Sequence, residues 1–257
     1  MSKPLISIIM GVHNGVHKLR KSIDSILFQT YSNWEFVICD DGSTDQSYEW
    51  LCELARCDSR FVIIKNKTNS GLPYTLNHCI KHCNGEYIAR MDDDDISYPN
   101  RFEKQLEFLN KHPEISFVSS CADIFDGIKT TGKLIHPEFP TKLSLVWQSQ
   151  FVHPATMFRA KDLRAIGCYR VCNDTLRGQD YDLFMRMYGA GFRGANLQIP
   201  VYRYLIDSQS IKRRTFKARK GEINIRIHGY KAMKVMWWAF PFLLKPIAAH
   251  IITITKY

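Results

Sequence analysis

Short apolar runs alternate with helical patterns along the first part of this chain, and this alternation constrains its fold more than any other feature. Four runs predict strands because they are short, apolar and rich in β-branched or aromatic residues; they are residues 5–10, 34–39, 61–64 and 86–91. Between them, apolar residues recur at helical spacing, as they do from Val16 to Leu27. The pattern predicts an α/β fold with a doubly wound, mainly parallel sheet in three layers, α/β/α.

Polar side chains follow three of the four predicted strands. His13 and Asn14 come after the first strand, Asp40 and Asp41 after the second, and Asp92–Asp95 after the fourth. In open α/β sheets, ligands bind beyond the carboxyl ends of the strands. We therefore expect the three clusters to converge at one edge of the sheet and to form a binding site there.

The four consecutive acids at 92–95 are the most informative of these clusters. Two carboxylates about 6 Å apart repel each other by roughly 3 kcal/mol at an effective dielectric constant of about 20. A cation or a solvated turn would relieve this repulsion. Oxygen ligands suit Mg²⁺ or Mn²⁺ that also binds the phosphates of a substrate. An acidic surface turn is the alternative, but the preceding apolar strand favours a metal site.

Asp41 is a candidate for binding a nucleobase, since a fixed carboxylate can accept a hydrogen bond from an imide N–H. The alternative is that Asp41 caps the following helix, a role that Ser43 could also take. The sequence contains neither of the common glycine-rich phosphate-binding loops. We therefore expect the metal to supply most of the neutralisation of a bound diphosphate.

Asp180 stands at the start of a predicted helix, two residues before Asp182. A carboxylate in this position is often only a helix cap. Residues two apart do not share a helical face. One of the two acids can therefore face a cleft, while the other faces solvent or pairs with Arg186.

Several motifs, in order, resemble those of family 2 glycosyltransferases over residues 4–210. They are SIIMGVHN at 7–14, DDGSTD at 40–45, NSGL at 69–72, YIARMDDDDI at 87–96, His153-Pro154 and QDYDL at 179–183. The resemblance implies the GT-A fold and an inverting transfer of a sugar from a nucleotide-diphosphate sugar, a UDP-sugar by analogy. The acceptor would be a hydroxyl of a glycan or lipid-linked glycan in cell-surface polysaccharide synthesis.

The resemblance also implies roles for the residues at matching positions. Asp180 matches the general base, and Asp94, the second acid of the Asp-x-Asp signature, matches the ligand of Mn²⁺ or Mg²⁺. The nucleotide-sugar site is expected at Val12, His13, Asn14, Asp40, Asp41, Asn69, Asp92 and Asp93. Contacts with the acceptor are expected at His153, Arg177 and Gln179.

Two positions depart from the family pattern. The residue before the base is usually Glu, whereas this chain has Gln179, so a charge is lost next to Asp180. Many members also have a His soon after a Tyr-Arg pair near the end of the domain. Here the pair at 202–203 is followed by Tyr204 and Leu205, which puts a metal or phosphate contact from that loop in doubt.

A basic and then aromatic tail follows the glycosyltransferase-like region. The net charge of the chain is +10, and nine Lys or Arg residues lie between Lys212 and Lys234 against one acid, Glu222. The following stretch, 235–255, is rich in aromatic and apolar residues but is interrupted by two prolines and a lysine. We expect an amphipathic helical segment that lies on an anionic membrane surface; a membrane span and a core or oligomer contact are the alternatives.

These observations divide the chain into two parts. Residues 1–211 form the glycosyltransferase domain, with a nucleotide-binding half at 1–112 and an acceptor-binding half at 113–211, and residues 212–257 form the membrane-associating tail. The eight cysteines lack the paired spacing of a zinc site, and no signal peptide is evident, so reduced thiols in a cytosol are expected. The predicted location is the cytoplasmic face of the cell membrane.

Two other classes of protein share some of these features. A metal-dependent nucleic-acid enzyme would also combine acids with a basic tail, but it would interleave aromatic with basic residues, whereas here the aromatics follow the basic run. No nucleic-acid partner is therefore expected. A non-catalytic scaffold of the same fold would be expected to lack Asp94 or Asp180, and both are present.

Overall fold

A computed structural model describes residues 3–206 and 216–246 of the chain. The described residues form a nine-stranded sheet, flanked by helices. The strands are β1 Ile6–Val12, β2 Trp34–Asp40, β3 Phe61–Lys65, β4 Tyr87–Arg90, β5 Ile96–Ser97, β6 Phe117–Phe125, β7 Thr130–Leu134, β8 Met157–Arg159 and β9 Gly194–Leu205. The helices are α1 Val16–Leu27, α2 Ser47–Cys57, α3 Leu72–Lys81, α4 Arg101–Lys111, α5 Lys142–Trp147, α6 Ala160–Ala165, α7 Gln179–Gly189, α8 Phe216–Ala232 and α9 Met236–Ala239.

The first four strands form the predicted parallel half of the sheet, in the order β3-β2-β1-β4. β1 lies at the centre, where Ile8 is in register with Phe36 on one side and Ala89 on the other. Successive side chains of β1 point to opposite faces, so that Ile8 packs in one core and Ile9 in the other. Burial on both faces explains why this strand is almost entirely apolar. The parallel α/β prediction is confirmed for this half.

The second half of the chain extends the same sheet rather than building another. β8 pairs antiparallel with β4, β6 pairs antiparallel with β8, and β9 pairs parallel with β6. β5 and β7 pair antiparallel with β9 and β6 respectively. The sheet is therefore mixed. β9 is the longest strand among the described residues, with 12 residues, and it pairs with β6 from Gly194 to Leu205.

The helix α8 packs against the domain, although the sequence predicted a separate membrane-associating tail. Ile225, Tyr230 and Met233 are fully buried and belong to the same core cluster as Leu183 and Phe184 of α7. Val235, Ala239 and Leu243 are buried in the same cluster, so the alternative of a core contact applies to these inward-facing residues of 235–246, the described part of the apolar stretch. No helix within 3–206 or 216–246 is long and apolar enough to cross a bilayer. The first part of the basic run and the last residues of the chain lie outside the described residues.

Candidate active site

A cleft of about 500 Å³ opens at the carboxyl ends of β1 and β2. It brings together four predicted nucleotide-site residues, Val12, His13, Asp41 and Asn69, with Arg177 and Gln179 from the second half of the chain; its other lining residues are Gly11, Gly71, Leu72, Thr75 and Leu176. We call it the nucleotide cleft. The predicted convergence of the first two polar clusters is thus observed.

Asp41 anchors the loop that forms one wall of the nucleotide cleft. Its Oδ1 accepts hydrogen bonds from Asn66 Nδ2 and from the backbone N–H of Ser70, both at 2.8 Å. Its Oδ2 accepts a hydrogen bond from the backbone N–H of Gly71 at 2.9 Å. A carboxylate has about four acceptor positions, so one remains for an N–H of a ligand. Asp41 can therefore shape the loop and contact a base at the same time.

Asn14 and Asp40 build the turns behind the nucleotide cleft and are not part of its lining. Asn14 has a left-handed backbone (φ 54°), and its Oδ1 accepts a hydrogen bond from the backbone N–H of Thr44 at 2.8 Å. Asp40 is fully buried, and its Oδ2 accepts a hydrogen bond from the backbone N–H of Ser43 at 3.1 Å. Asp40 Oδ1 is a buried oxygen with no hydrogen-bond partner among the described residues. These contacts give both residues a structural role that the motifs alone did not reveal.

A second cleft, of about 300 Å³, adjoins the nucleotide cleft and shares Leu72, Arg177 and Gln179 with it. We call it the catalytic cleft. Its lining brings together residues far apart in sequence: Arg90, Asp92, Leu134, His136, Phe151, Val152, His153, Pro154, Gly178, Asp180 and Tyr204. Residues predicted to bind the donor sugar nucleotide, to contact the acceptor and to act as the general base thus line the same cleft.

Asp180 and Asp182 separate as their spacing predicted. The turn before α7 places Gly178 in the left-handed region (φ 87°), and Asp180 follows in the first turn of the helix, on the wall of the catalytic cleft. Burial raises the pKa of Asp180, and the positive charge of Arg90 opposes this shift. Asp182 is buried and pairs with Arg170 at 2.6 Å and with Arg186 at 2.8 Å. Asp180 is therefore the acid of the two that faces a ligand site.

The four acids at 92–95 point in different directions. Asp92 lines the catalytic cleft and pairs with the fully buried Arg90, whereas Asp94 lies 3.2 Å from Lys18 Nζ. Burial and the charges of Asp94 and Asp92 raise the pKa of Asp93 to about 7. Burial and the neighbouring carboxylates also raise the pKa of Asp95 well above its usual range. The turn therefore concentrates negative charge that the protein compensates only in part.

These acids fit a cation that is shared with a substrate. Within the part of the chain that the structure describes, no three His, Cys, Asp or Glu side chains converge to form a complete metal site. Mg²⁺ usually takes only one or two carboxylates from the protein and completes its coordination with phosphates and water. Burial and, after it, the neighbouring carboxylates raise the pKa values of Asp93 and Asp95, and a cation would relieve the part that comes from repulsion between the acids.

His153 is buried and neutral. Burial, together with the nearby charge of Arg90, lowers its pKa well below the usual range. Its Nε2 lies 2.7 Å from the hydroxyl oxygen of Tyr169. A neutral imidazole in the wall of the catalytic cleft can hydrogen-bond a sugar hydroxyl without carrying a charge.

Three polar residues of the catalytic cleft were not predicted from the sequence to belong to the site: Arg90, His136 and Tyr204. Arg90 lies in the motif at 87–96, and its position just before the four acids at 92–95 was the feature of the sequence that could have indicated a role in the site. Tyr204 follows Tyr202 by two residues on β9, so strand periodicity places both on one face. Burial raises the pKa of Tyr204, and the carboxylates of Asp92 and Asp95 raise it further. Nothing in the sequence around His136 indicates its place in the cleft.

Comparisons with known sequences point to one family. The sequence model of the family described as "Glycosyl transferase family 2" matches residues 7–167. EpsE of Bacillus subtilis, which is named as a glycosyltransferase, is 38% identical over 247 residues, or 96% of this chain and 89% of EpsE. An Escherichia coli protein named UDP-Glc:alpha-D-GlcNAc-diphosphoundecaprenol beta-1,3-glucosyltransferase WfgD is 36% identical over 138 residues, or 54% of this chain and 53% of WfgD.

Solved structures share the fold. S. aureus TarS 1-349 in complex with UDP-GlcNAc matches with a TM-score of 0.73 and 16% identity, over 93% of this chain and 74% of that one. The mannosyltransferase PcManGT from Pyrobaculum calidifontis, in complex with GDP-Man and Mn²⁺, matches with a TM-score of 0.68 and 15% identity, over 98% of this chain and 76% of that one. At these identities the likeness is one of fold.

Proposed function

This chain belongs to glycosyltransferase family 2 and has the GT-A fold, and we propose that it transfers a sugar from a nucleotide-diphosphate sugar to an acceptor hydroxyl with inversion. The observation that carries the proposal is the junction of the two clefts. Arg177 and Gln179 line both, so a donor lying in the nucleotide cleft can present its sugar to Asp180 in the catalytic cleft. A UDP-sugar is the proposed donor, in line with the names of TarS bound to UDP-GlcNAc and of WfgD.

Asp180 is the proposed general base. It accepts the proton of the acceptor hydroxyl while that oxygen attacks the anomeric carbon and the bond from this carbon to the diphosphate oxygen breaks. Attack from the face opposite the leaving group inverts the configuration, and Asp180 ends the step protonated. A base works best when its pKa lies nearer the working pH than that of an ordinary aspartate. The raised pKa of Asp180 supports this role.

The leaving diphosphate carries the charge that the site must stabilise. Asp94, with Asp92 beside it, would hold a Mn²⁺ or Mg²⁺ ion, and the bound ion would stabilise the developing charge on the diphosphate. Asp92 is itself fixed by Arg90, so its carboxylate is oriented before substrate binds. His153, Arg177 and Gln179 are the proposed contacts with the acceptor or donor sugar, since all three line the catalytic cleft.

A lipid-linked glycan is the proposed acceptor, in line with the diphosphoundecaprenol-linked acceptor in the name of WfgD. The proposed location is the cytoplasmic face of the cell membrane. An apolar surface supports a membrane contact. Trp237, Phe240 and Leu244 are 84%, 67% and 64% exposed, at spacings that place them along one side of a short helical stretch. Lys234 and Lys245 flank them in sequence. We call Trp237, Phe240 and Leu244 the outer face; tryptophan beside lysine is typical of segments that lie on a membrane surface.

The function is tested by screening UDP-, GDP- and dTDP-sugars against the full chain by thermal shift and calorimetry, with Mn²⁺ and with EDTA. We expect one nucleotide class to bind in Mn²⁺, and its sugar to be transferred to a lipid-linked acceptor. Salt-sensitive binding of RNA or DNA, with no response to any nucleotide sugar, would instead support a nucleic-acid enzyme.

A further inference from the structure

The segment from 173 to 180 contributes to both clefts. Leu176 lines the nucleotide cleft, Asp180 lines the catalytic cleft, and Arg177 and Gln179 between them line both. The segment begins with a 3₁₀ helix, Asn173–Leu176, and ends in the first turn of α7. Any element that sets the position of this segment therefore sets the geometry of the whole site.

The C-terminal helix α8 contacts this segment at three points. Asn224 Nδ2 donates a hydrogen bond to Asp174 Oδ1 at 2.9 Å. Gly221 lies so close to Asp174 that an added Cβ would be 3.0 Å from its carbonyl oxygen. Ile225 packs against the turn that precedes Asp180, the proposed general base. A Cβ added at Gly178 in this turn would lie 3.1 Å from Ile225 Cδ1.

The contact continues from the segment into the nucleotide cleft. Leu176 packs against Gly71, where an added Cβ would lie 3.1 Å from Leu176 Cδ2. The backbone N–H of Gly71 in turn donates a hydrogen bond to Asp41 Oδ2. Packing and hydrogen bonds thus connect α8, through Leu176 and Gly71, to Asp41, the residue proposed to contact the nucleobase.

Buried contacts hold α8 itself in place. Arg226 is almost completely buried; its Nη1 donates a hydrogen bond to the carbonyl oxygen of Val146 at 2.9 Å, and its Nη2 lies 3.0 Å from Glu222 Oε1. Tyr230, one turn later, donates a hydrogen bond to the same carbonyl oxygen at 2.8 Å. The helix is therefore a firm support rather than a loosely attached tail.

We propose that Asn224 and Ile225 of α8 are positioning residues for the nucleotide-sugar site. They hold in place the 173–180 segment, which lines both clefts. The proposal rests on the proposed function, because it assigns donor binding to those clefts. It makes the C-terminal helix a part of the active-site framework. Removing the tail would then impair donor binding as well as any membrane contact.

Exchanging the amide and the carboxylate of the Asn224–Asp174 pair tests the proposal. Asn224→Asp places two carboxylates in contact, whereas the double variant Asp174→Asn/Asn224→Asp restores a donor–acceptor pair in the opposite direction. His228→Ala, on an exposed position of the same helix, is the control. UDP affinity in Mn²⁺ is measured by calorimetry on the folded fraction, and hydrogen exchange is measured over residues 172–181.

We expect Asn224→Asp to weaken UDP binding by about fivefold to tenfold and to speed exchange in the segment, with recovery to about twofold of wild type in the double variant. His228→Ala should change neither. If folded Asn224→Asp protein binds UDP and exchanges like wild type, or the double variant does not recover, the proposal is overturned. Absence of nucleotide binding in wild type would contradict the proposed function, while the exchange data would still decide whether α8 holds the segment.

Discussion

Arg90 and Asp92 form an ion pair at the end of β4, with the guanidinium completely buried and the carboxylate in the wall of the catalytic cleft. The backbone carbonyl oxygen of Arg90 accepts a hydrogen bond from a second buried arginine, Arg101, at 2.7 Å. Burying a guanidinium is costly unless an acceptor compensates for the lost hydration. The carboxylate of Asp92 offsets part of this cost, and the same contact orients Asp92.

Arg90→Met should destabilise the protein by about 1–3 kcal/mol, because it leaves Asp92 partly buried without its cation. Urea unfolding at pH 7 measures the loss. Lys111→Met is the control, since Lys111 pairs with Glu107 at 2.7 Å on the exposed side of α4 and should contribute less than about 1 kcal/mol. If both variants lose the same free energy of unfolding, the buried pair contributes no more to stability than an exposed one, and the prediction is wrong.

Asp180→Asn should lower turnover by about 10²- to 10⁴-fold while leaving nucleotide affinity within about twofold of wild type, because it removes only the proton acceptor. Single-turnover transfer and calorimetry separate the two effects. Asp182→Asn should behave differently, since Asp182 holds Arg170 and Arg186, and its loss should mainly lower the free energy of unfolding. Wild-type turnover in Asp180→Asn would disprove its assignment as the base.

Stability should fall as the pH rises through the range in which Asp93 titrates. Burial and its acidic neighbours raise its folded-state pKa to about 7, against about 3.9 in an unfolded chain. The folded state therefore binds more protons than the unfolded state between about pH 4 and pH 7, so this group's contribution to stability declines over that window. Asp93→Asn should be more stable than wild type at pH 8 in EDTA, and the difference should disappear by pH 4. Thermal unfolding across this range checks the sign; a constant difference would contradict it.

Asp94→Ala should weaken nucleotide binding about tenfold in Mn²⁺ and hardly at all in EDTA, because the side chain acts through the ion. Lys18→Ala should have the opposite effect, since it removes the ammonium group that lies 3.2 Å from Asp94 and competes with a cation. Calorimetric titration of Mn²⁺ in the presence of UDP measures both. Lys21→Ala, an exposed position on α1, is the control for a simple change of net charge. Weaker Mn²⁺ binding in Lys18→Ala would contradict this account.

Trp237→Ser/Phe240→Ser should reduce pelleting with vesicles that contain anionic lipid by about tenfold, because it removes most of the exposed aromatic area of the outer face. Both side chains point outward, so the folded state should be little affected. Phe28→Ser is the matched control, as Phe28 is 74% exposed at the end of α1, away from the basic tail in sequence. If all three proteins pellet equally, the membrane contact lies elsewhere.

The local pattern of the sequence was sufficient to predict the parallel half of the sheet and part of the candidate site. Alternating strands and helices define the sheet, and acids at strand ends lie at its carboxyl edge, so the placement of Asp41 and Asp92 along this edge, in two adjoining clefts, could be anticipated. The separate orientations of Asp180 and Asp182 follow from helical geometry alone. These features depend on residues close in sequence, where backbone geometry decides.

The roles of Arg90, Tyr204 and α8 depended on tertiary contacts. Composition shows that the C-terminal region is basic and apolar, but apolar side chains gain a similar free energy from a protein core as from a lipid surface. Only the folded chain, which places Asn224 against Asp174 and Arg226 against Val146, assigns Ile225 and Tyr230 to the core and leaves Trp237 outside. Contacts between residues 50 or 80 positions apart leave no local periodicity, so the tertiary structure was needed to decide them.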